Sequence, residues 1–140
     1  MKYDLTKKAT KGAERTLDAF SGTMFGLLAA KSLEEITVNE LCEKSKYPRA
    51  TFYNYFDDKY DLLNYCWHSI ARQIHLEQYS ELDPEESMYI FFDRAYDFAD
   101  TYLATIRRIL KFNSIDSFLI NHFRGYLNTQ IRNIFQQCPY

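Results

Sequence analysis

Hydrogen-bonding side chains are concentrated between residues 49 and 59, and their types suit a nucleic acid. Arg49 can bind O6 and N7 of guanine through two hydrogen bonds at once. Hydroxyl and amide groups, such as those of Tyr53 and Asn54, bond to phosphate oxygens and position a protein without reading base sequence. Lys59 adds a positive charge at a predicted helix start, where backbone N–H groups already favour an anion. The candidate DNA-contacting residues are Thr37, Arg49, Ala50, Thr51, Tyr53, Asn54, Tyr55 and Lys59.

Several of these candidates have a second interpretation that the sequence leaves open. Ala50 and Thr51 can contact a thymine methyl group, but Thr51 can also reach a phosphate or help to cap its own helix. Tyr55 can contribute half of its ring to the core instead of facing DNA. Thr37 can touch phosphate through the end of a helix, although capping that helix is the role we favour.

Two short helices joined by a tight turn are predicted to position these residues. Thr37 and Glu40 have the spacing of a capping box, so the first helix is expected to start at Thr37. A break follows, and Pro48 suits the first turn of a second helix that runs to about Phe56. Phe52 and Phe56 lie four residues apart and should be buried, which turns the polar side chains outward. This pattern is typical of a helix-turn-helix DNA reader.

The stretch RATFYNYFDDKYDLL resembles the signature of the TetR/AcrR family of bacterial transcriptional regulators. The upstream stretch ITVNELCEKS resembles the first helix of the family's pair, so the specific resemblance covers about residues 20–63. It implies that Tyr53, Tyr55 and Lys59 contact phosphate. The residues that carry the signature are Thr51, Phe52, Tyr53, Tyr55, Phe56, Asp58, Lys59, Leu62 and Leu63.

Two positions depart from the family pattern. Lys46 stands in the turn where the family often has glycine, so a left-handed or adjusted backbone is expected there, at a cost of about 1 kcal/mol. Pro48 stands where a serine usually opens the reading helix. Neither departure breaks the motif.

The resemblance also implies a mode of action. A homodimer would place two reading helices in successive major grooves of a pseudo-palindromic operator, about 34 Å apart. A small-molecule effector would change that spacing and release the DNA, so a repressor without a cofactor is expected. Family members usually have two further helices that form the dimer interface. The chain ends about where they would begin, and we therefore expect it to be truncated.

Composition favours one or two small, packed domains in a reducing compartment. Of the 140 residues, 46% are hydrophobic and 17% aromatic, which is ample for a core. The apolar runs are too short to span a membrane, and no secretory signal opens the chain. The three cysteines, Cys42, Cys66 and Cys138, form neither a disulfide framework nor a zinc spacing. The cytoplasm is the predicted location.

The charge is divided unevenly along the chain. Residues 1–60 carry ten Lys and Arg against nine Asp and Glu, whereas residues 61–140 carry seven against ten. A DNA-binding head with an acidic body would have this distribution. The arm formed by Lys7, Lys8 and Lys11 either contacts the DNA backbone or an adjacent minor groove, or is a solvated tail.

Helical periodicity continues throughout, so an all-α fold is predicted. Residues 1–58 would form the three-helix head and residues 59–140 a helical effector or dimerisation body. One amphipathic helix is expected from about Thr10 to Lys31, and a long helix from Lys59 to Tyr79. A later helix is expected to kink or break near Thr105.

Other residue groups favour simpler interpretations. His68 and His75 lie seven residues apart, whereas a helical metal pair is usually three or four apart. Gly22 and Gly26 would let a neighbouring helix approach closely. The aromatic side chains of the body can line a pocket, but an ordinary core is expected, and no effector site is predicted. Catalytic motifs are missing, so neither an enzyme nor a metal site is expected.

The alternative interpretation is a helical protein-interaction module that keeps the helix-turn-helix head without using it on DNA. The acidic pI of about 5.9 and the missing dimer helices favour it. In such a module, replacing Arg49 or Lys59 would leave the activity unchanged.

Overall fold

The computed structural model of the chain describes residues 10–74 and 84–136, apart from four side chains at positions 84, 87, 134 and 135. Within these residues every regular element is helical, which confirms the predicted all-α fold. Predictions for Lys7, Lys8, His75 and Cys138 lie outside the described residues. The elements are α1 (Lys11–Leu28), a 3₁₀ turn (Leu33–Glu35), α2 (Val38–Ser45), α3 (Arg49–Tyr55), α4 (Lys59–Gln73), α5 (Pro84–Thr101), α6 (Leu103–Phe112) and α7 (Phe118–Gln136).

The predicted capping box at the start of α2 is only half formed. The Thr37 hydroxyl accepts a hydrogen bond from the Glu40 N–H at 3.2 Å, as an N-cap residue should. The Glu40 carboxylate binds the Lys31 ammonium instead, with N–O distances of 2.7 and 2.9 Å. The Lys31 ammonium carries a full positive charge that a backbone N–H lacks, so it attracts the Glu40 carboxylate more strongly.

The turn between α2 and α3 adopts the left-handed backbone expected at Lys46, with φ 65° and ψ 32°. Two N–H groups then reach back to the Cys42 carbonyl, those of Lys46 and Tyr47. Pro48 is the extended N-cap residue of α3 and not its first helical residue, so the helix begins one residue later than predicted. The Pro48 carbonyl accepts the hydrogen bonds that open the helix.

The head is organised around three aromatic rings that are 0% exposed. Phe20 of α1 meets Phe52 of α3 edge-on at 5.4 Å, and Phe52 lies 5.2 Å from Phe56. The same buried cluster continues into α4 and reaches Leu119 of α7. Because this cluster extends past residue 58, the division into two domains at that residue stays a prediction.

The body differs from the predicted helices at two points. The break between α5 and α6 falls at Tyr102, three residues before Thr105, and Tyr102 leaves helical geometry with φ −104° and ψ 17°. The long helix from Lys59 is described only to Gln73, and its predicted end at Tyr79 lies outside the described residues. Along the described part of the chain, no helix combines the length and the apolarity that a membrane crossing needs.

Candidate nucleic-acid interface

α3 presents its polar side chains unevenly. Arg49, Ala50 and Asn54 are exposed, whereas Thr51 is half-buried. Tyr53 and Tyr55 are also half-buried, because their rings pack on the core: Tyr53 meets Phe52 edge-on at 5.3 Å, and Tyr55 lies 6.3 Å from Phe56. The expectation that Tyr53, Asn54 and Tyr55 all turn to solvent is therefore corrected.

Arg49 joins the two helices of the pair on their exposed side. Its Nη1 donates to Oδ1 of Asn39 in α2, and its Nη2 donates to the Tyr53 hydroxyl at 3.2 Å. The guanidinium also lies 5.6 Å from the centre of the Tyr53 ring. Asn39 was not among the predicted residues. Its exposed position in the first turn of α2 is visible in the sequence, but its pairing across the turn is a tertiary contact.

Lys59 does not extend freely into solvent. Its ammonium donates to the carbonyls of Leu33 at 2.9 Å, Ile36 at 3.0 Å and Glu34 at 3.4 Å, and so caps the end of the 3₁₀ turn. Lys59 therefore has a structural role that the sequence did not reveal. Its predicted phosphate contact stays a prediction.

The start of α4 is capped by a carboxylate of the chain itself. The Asp58 carboxylate accepts from the N–H groups of Tyr60 at 3.0 Å and Asp61 at 2.9 Å. Two of the donors expected to favour phosphate near Lys59 are thus satisfied within the chain, and the helix end carries negative charge.

Tyr65, Arg72 and Asp18 form a polar cluster where α1 meets α4. The Tyr65 hydroxyl donates to the Asp18 carboxylate at 2.7 Å and accepts from Arg72 Nη2 at 3.0 Å. Burial raises the pKa of Tyr65, and the hydrogen bond from its hydroxyl to the Asp18 carboxylate raises this pKa further. Burial also raises the pKa of Cys66 to about 12, against a smaller opposing contribution from Ser21. These groups stay protonated at neutral pH.

His122, Cys42 and Cys66 all take part in the packing of the fold. The Nδ1 atom of His122 accepts from the Trp67 indole N–H at 2.8 Å, which satisfies both groups. Cys42 and Cys66 are free thiols in the core. No group of three or more metal-binding side chains occurs among residues 10–74 and 84–136.

A cavity of about 860 Å³ lies between α1, α4, α5, α6 and α7. Gly22 and Gly26 form part of its wall, and a methyl group placed on either would meet, beyond its own helix backbone, no atom of the described residues within 4 Å. The prediction that these glycines admit a neighbouring helix is therefore wrong, because they border open space. Trp67 and Phe123 also line the cavity.

The aromatic residues of α5 also depart from the expected core. Tyr89 is 80% exposed, Tyr96 70% and Phe92 62%. They repeat at helical spacing, so they share one face of α5. An ordinary core therefore accounts for only part of the aromatic content of the body.

The geometry defines a helix-turn-helix head whose second helix is held by buried phenylalanines and presents Arg49 outward. Residues 25–66 match the family model described as bacterial regulatory proteins, tetR family. This segment runs from the last turn of α1 into α4 and contains every candidate DNA-contacting residue. Over this segment the chain matches the tetR family model, in agreement with the resemblance. No match was found among curated proteins or solved structures.

Proposed function

We propose that the protein represses transcription by binding a specific DNA operator and that a small effector releases it. The family is one of DNA-binding transcription regulators and not of enzymes. The observation that best supports base reading is the exposed start of α3, where Arg49 and Ala50 stand outward over a fully buried Phe52.

In this proposal α3 enters the major groove. Arg49 leaves Asn39 and binds O6 and N7 of a guanine, and Ala50 and Thr51 contact a thymine methyl group. The remaining candidates hold the phosphate backbone and set the register of α3 without reading sequence. These phosphate-contacting residues are Thr37, Tyr53, Asn54, Tyr55 and Lys59.

Two copies would bind a pseudo-palindromic operator in the cytoplasm, with their α3 helices about 34 Å apart. Only three residues separate α3 from α4, so a displacement of α4 moves α3 with it. An effector that binds the body then changes the distance between the two α3 helices. The effector releases DNA only if it binds the dimer with one α3 separation more tightly than the dimer with the other.

The decisive experiment measures DNA binding by fluorescence anisotropy, with fragments from the gene's own upstream region at several salt concentrations. The wild-type protein should prefer one fragment over random DNA, and its affinity should fall as salt rises. Arg49→Ala should reduce the difference in binding free energy between the preferred base pair and its replacements at one position by about 1–3 kcal/mol. Arg124→Ala, which changes an exposed arginine on α7, is the matched control and should behave as wild type.

Lys59→Ala separates a phosphate contact from the structural role of this lysine. Loss of a phosphate contact weakens all fragments alike and reduces the salt slope by about one. Loss of the cap on the 3₁₀ turn alone lowers the stability of the fold and leaves the salt slope unchanged. Urea denaturation of the same variant measures that second effect.

A protein-interaction module with an idle head is the second candidate, and the exposed aromatic face of α5 favours it. A contiguous apolar surface of this kind often marks an interaction site. Suppose that no upstream fragment binds better than random DNA and that Arg49→Ala leaves DNA binding unchanged. A genome-wide selection of bound fragments then distinguishes an operator elsewhere from a head that is not used on DNA. An empty selection would favour the interaction module.

A further inference from the structure

We propose that the cavity binds an elongated apolar cation, an amine or quaternary ammonium group on an aliphatic or aromatic frame. Its charge would lie beside Glu14 and Asp18, and its apolar part along the glycine face of α1. This inference rests on the proposed function, because it names the class of effector that would act there.

The shape of the cavity favours an elongated ligand. The α1 residues that line it run from Glu14 to Leu28, which corresponds to about 20 Å at the rise of an α-helix. The polar residues Glu14 and Asp18 come first along the helix, and Gly22, Phe25 and later residues follow. The site therefore has one polar end and one long apolar wall.

The apolar wall is open on the side of α1 and aromatic on the side of the body. The absence of side chains at Gly22 and Gly26 leaves room for a ligand directly against the helix backbone. Trp67 of α4 and Phe123 of α7, whose rings lie 5.0 Å apart, also line the cavity. Aromatic rings suit both hydrocarbon and cationic ligands.

The charge at the polar end favours a cation. Two carboxylates there face one guanidinium, and Arg72 contacts Asp18 at 3.4 Å and Glu14 at 3.6 Å. Arg72 also donates to the Tyr65 hydroxyl at 3.0 Å, so its guanidinium is shared among three oxygen acceptors. The carboxylate side chains remain about half exposed, at 49% and 50%. The net charge of this end is negative, so an anionic ligand would be repelled.

A ligand at this position would act on the head directly. α1 supplies Phe20 to the aromatic core of the head and the glycine wall to the cavity. A molecule pressed against Gly22 and Gly26 therefore pushes on the helix that supports α3. Repression would be relieved through α1 as well as through α4.

Trp67 makes the test direct, because it is the only tryptophan of the chain and lines the cavity. Its fluorescence is titrated with dodecyltrimethylammonium, dodecanoate and dodecanol, each below its micelle concentration. The ammonium compound should give a saturable change and bind at least about fivefold tighter than the carboxylate, the ratio that one partly exposed ion pair supplies. Equal or tighter binding of dodecanoate would overturn the charge assignment.

Two pairs of variants test where the ligand binds. Gly22→Leu should abolish the fluorescence change by filling the cavity, whereas Gly125→Leu, on a part of α7 that does not line it, should bind as wild type. Leucine favours a helix more than glycine does, so both proteins should fold. Glu14→Gln with Asp18→Asn should remove the preference for the cation, and Asp116→Asn should keep it.

The outcomes are separable from those of the proposed function. Unchanged binding in Gly22→Leu, or no saturable binding of any probe, would overturn the cavity as a ligand site even if the protein binds its operator. Cation binding in a protein that reads no operator would support the site and refute the regulator. Cation binding that lowers operator affinity supports both.

Discussion

In the proposed complex, Arg49 would have to exchange partners before it could bind a base. In the free protein its guanidinium binds Asn39 and lies against Tyr53, which holds the side chain near the start of α3. Such a contact lowers the entropy lost when the arginine binds guanine, because fewer rotamers remain to be ordered. It also has to break, so Asn39 competes with the base.

The first prediction concerns Arg49→Lys. Lysine keeps the positive charge but cannot form the planar two-bond contact, so discrimination at the guanine position should fall by about 1–3 kcal/mol. The salt dependence of non-specific binding should stay close to that of wild type. Anisotropy titrations with the operator and with one substituted base pair measure both quantities. Retained discrimination would show that Arg49 supplies charge alone.

The second prediction concerns pH. The pKa of both Tyr65 and Cys66 is raised by burial, to about 12 for Cys66, from ordinary values of 10.0 and 9.0. Above about pH 9 the unfolded chain loses protons that the folded chain keeps, so the free energy of unfolding should fall as pH rises. Urea denaturation at increasing pH measures the slope, and Cys66→Ala should make it shallower. A flat profile up to about pH 11 would contradict the raised pKa values.

At the scale of the element, the turn between α2 and α3 is the clearest case of strain. Lys46 occupies the left-handed region, which costs a side-chain-bearing residue about 1–2 kcal/mol. The turn nevertheless forms, because α2 and α3 are both anchored in the core through Leu41 and Phe52. The packing of two helices outweighs the local preference of one residue.

The third prediction is that Lys46→Gly stabilises the protein. Relief of the left-handed strain should exceed the added entropy of the unfolded chain and give a net gain of about 0.5–1 kcal/mol. Lys44→Gly is the matched control, because Lys44 lies in α2 with helical geometry. Glycine there should lower the free energy of unfolding by about 0.5–1 kcal/mol. Chemical denaturation compares the two variants. A destabilised Lys46→Gly would mean that the lysine side chain makes a favourable contact.

At the scale of the whole molecule, one buried side chain joins the body to the head. Asn113, in the turn between α6 and α7, is 2% exposed. Its amide nitrogen donates to the carbonyls of Leu28 at 3.2 Å and Lys31 at 3.3 Å, and its oxygen accepts from Leu33 N–H at 2.9 Å. It thus caps the end of α1 and holds the 3₁₀ turn, whose other side is held by Lys59.

The fourth prediction is that Asn113→Ala costs about 1–3 kcal/mol, because the buried Leu33 N–H and the end of α1 lose their partner. Asn128→Ala, at an exposed position on α7, should change stability by less than about 0.5 kcal/mol. Thermal and urea denaturation measure the difference. Equal stability of the two variants would show that the junction does not depend on Asn113.

The sequence by itself determined the helical class, the similarity of one segment to the tetR family, and the local order of the head. Helix caps and buried positions depend on neighbours three or four residues away, so Thr37, Phe52 and Phe56 could be assigned from spacing. The left-handed turn at Lys46 was also predictable, because the resemblance marked a position that favours glycine. Which of the outward residues contact DNA stays a prediction.

Only the tertiary structure decided which partner each polar or open position meets. Lys59 reaches the 3₁₀ turn from more than twenty residues away, and Asn113 reaches Leu28 across most of the chain. The sequence predicted that Gly22 and Gly26 contact a neighbouring helix, whereas in the structure they border a cavity. Helical periodicity shows which face of a helix is apolar. It does not show whether a side chain, a carbonyl or empty space lies opposite that face, because the opposite group depends on how distant helices pack together.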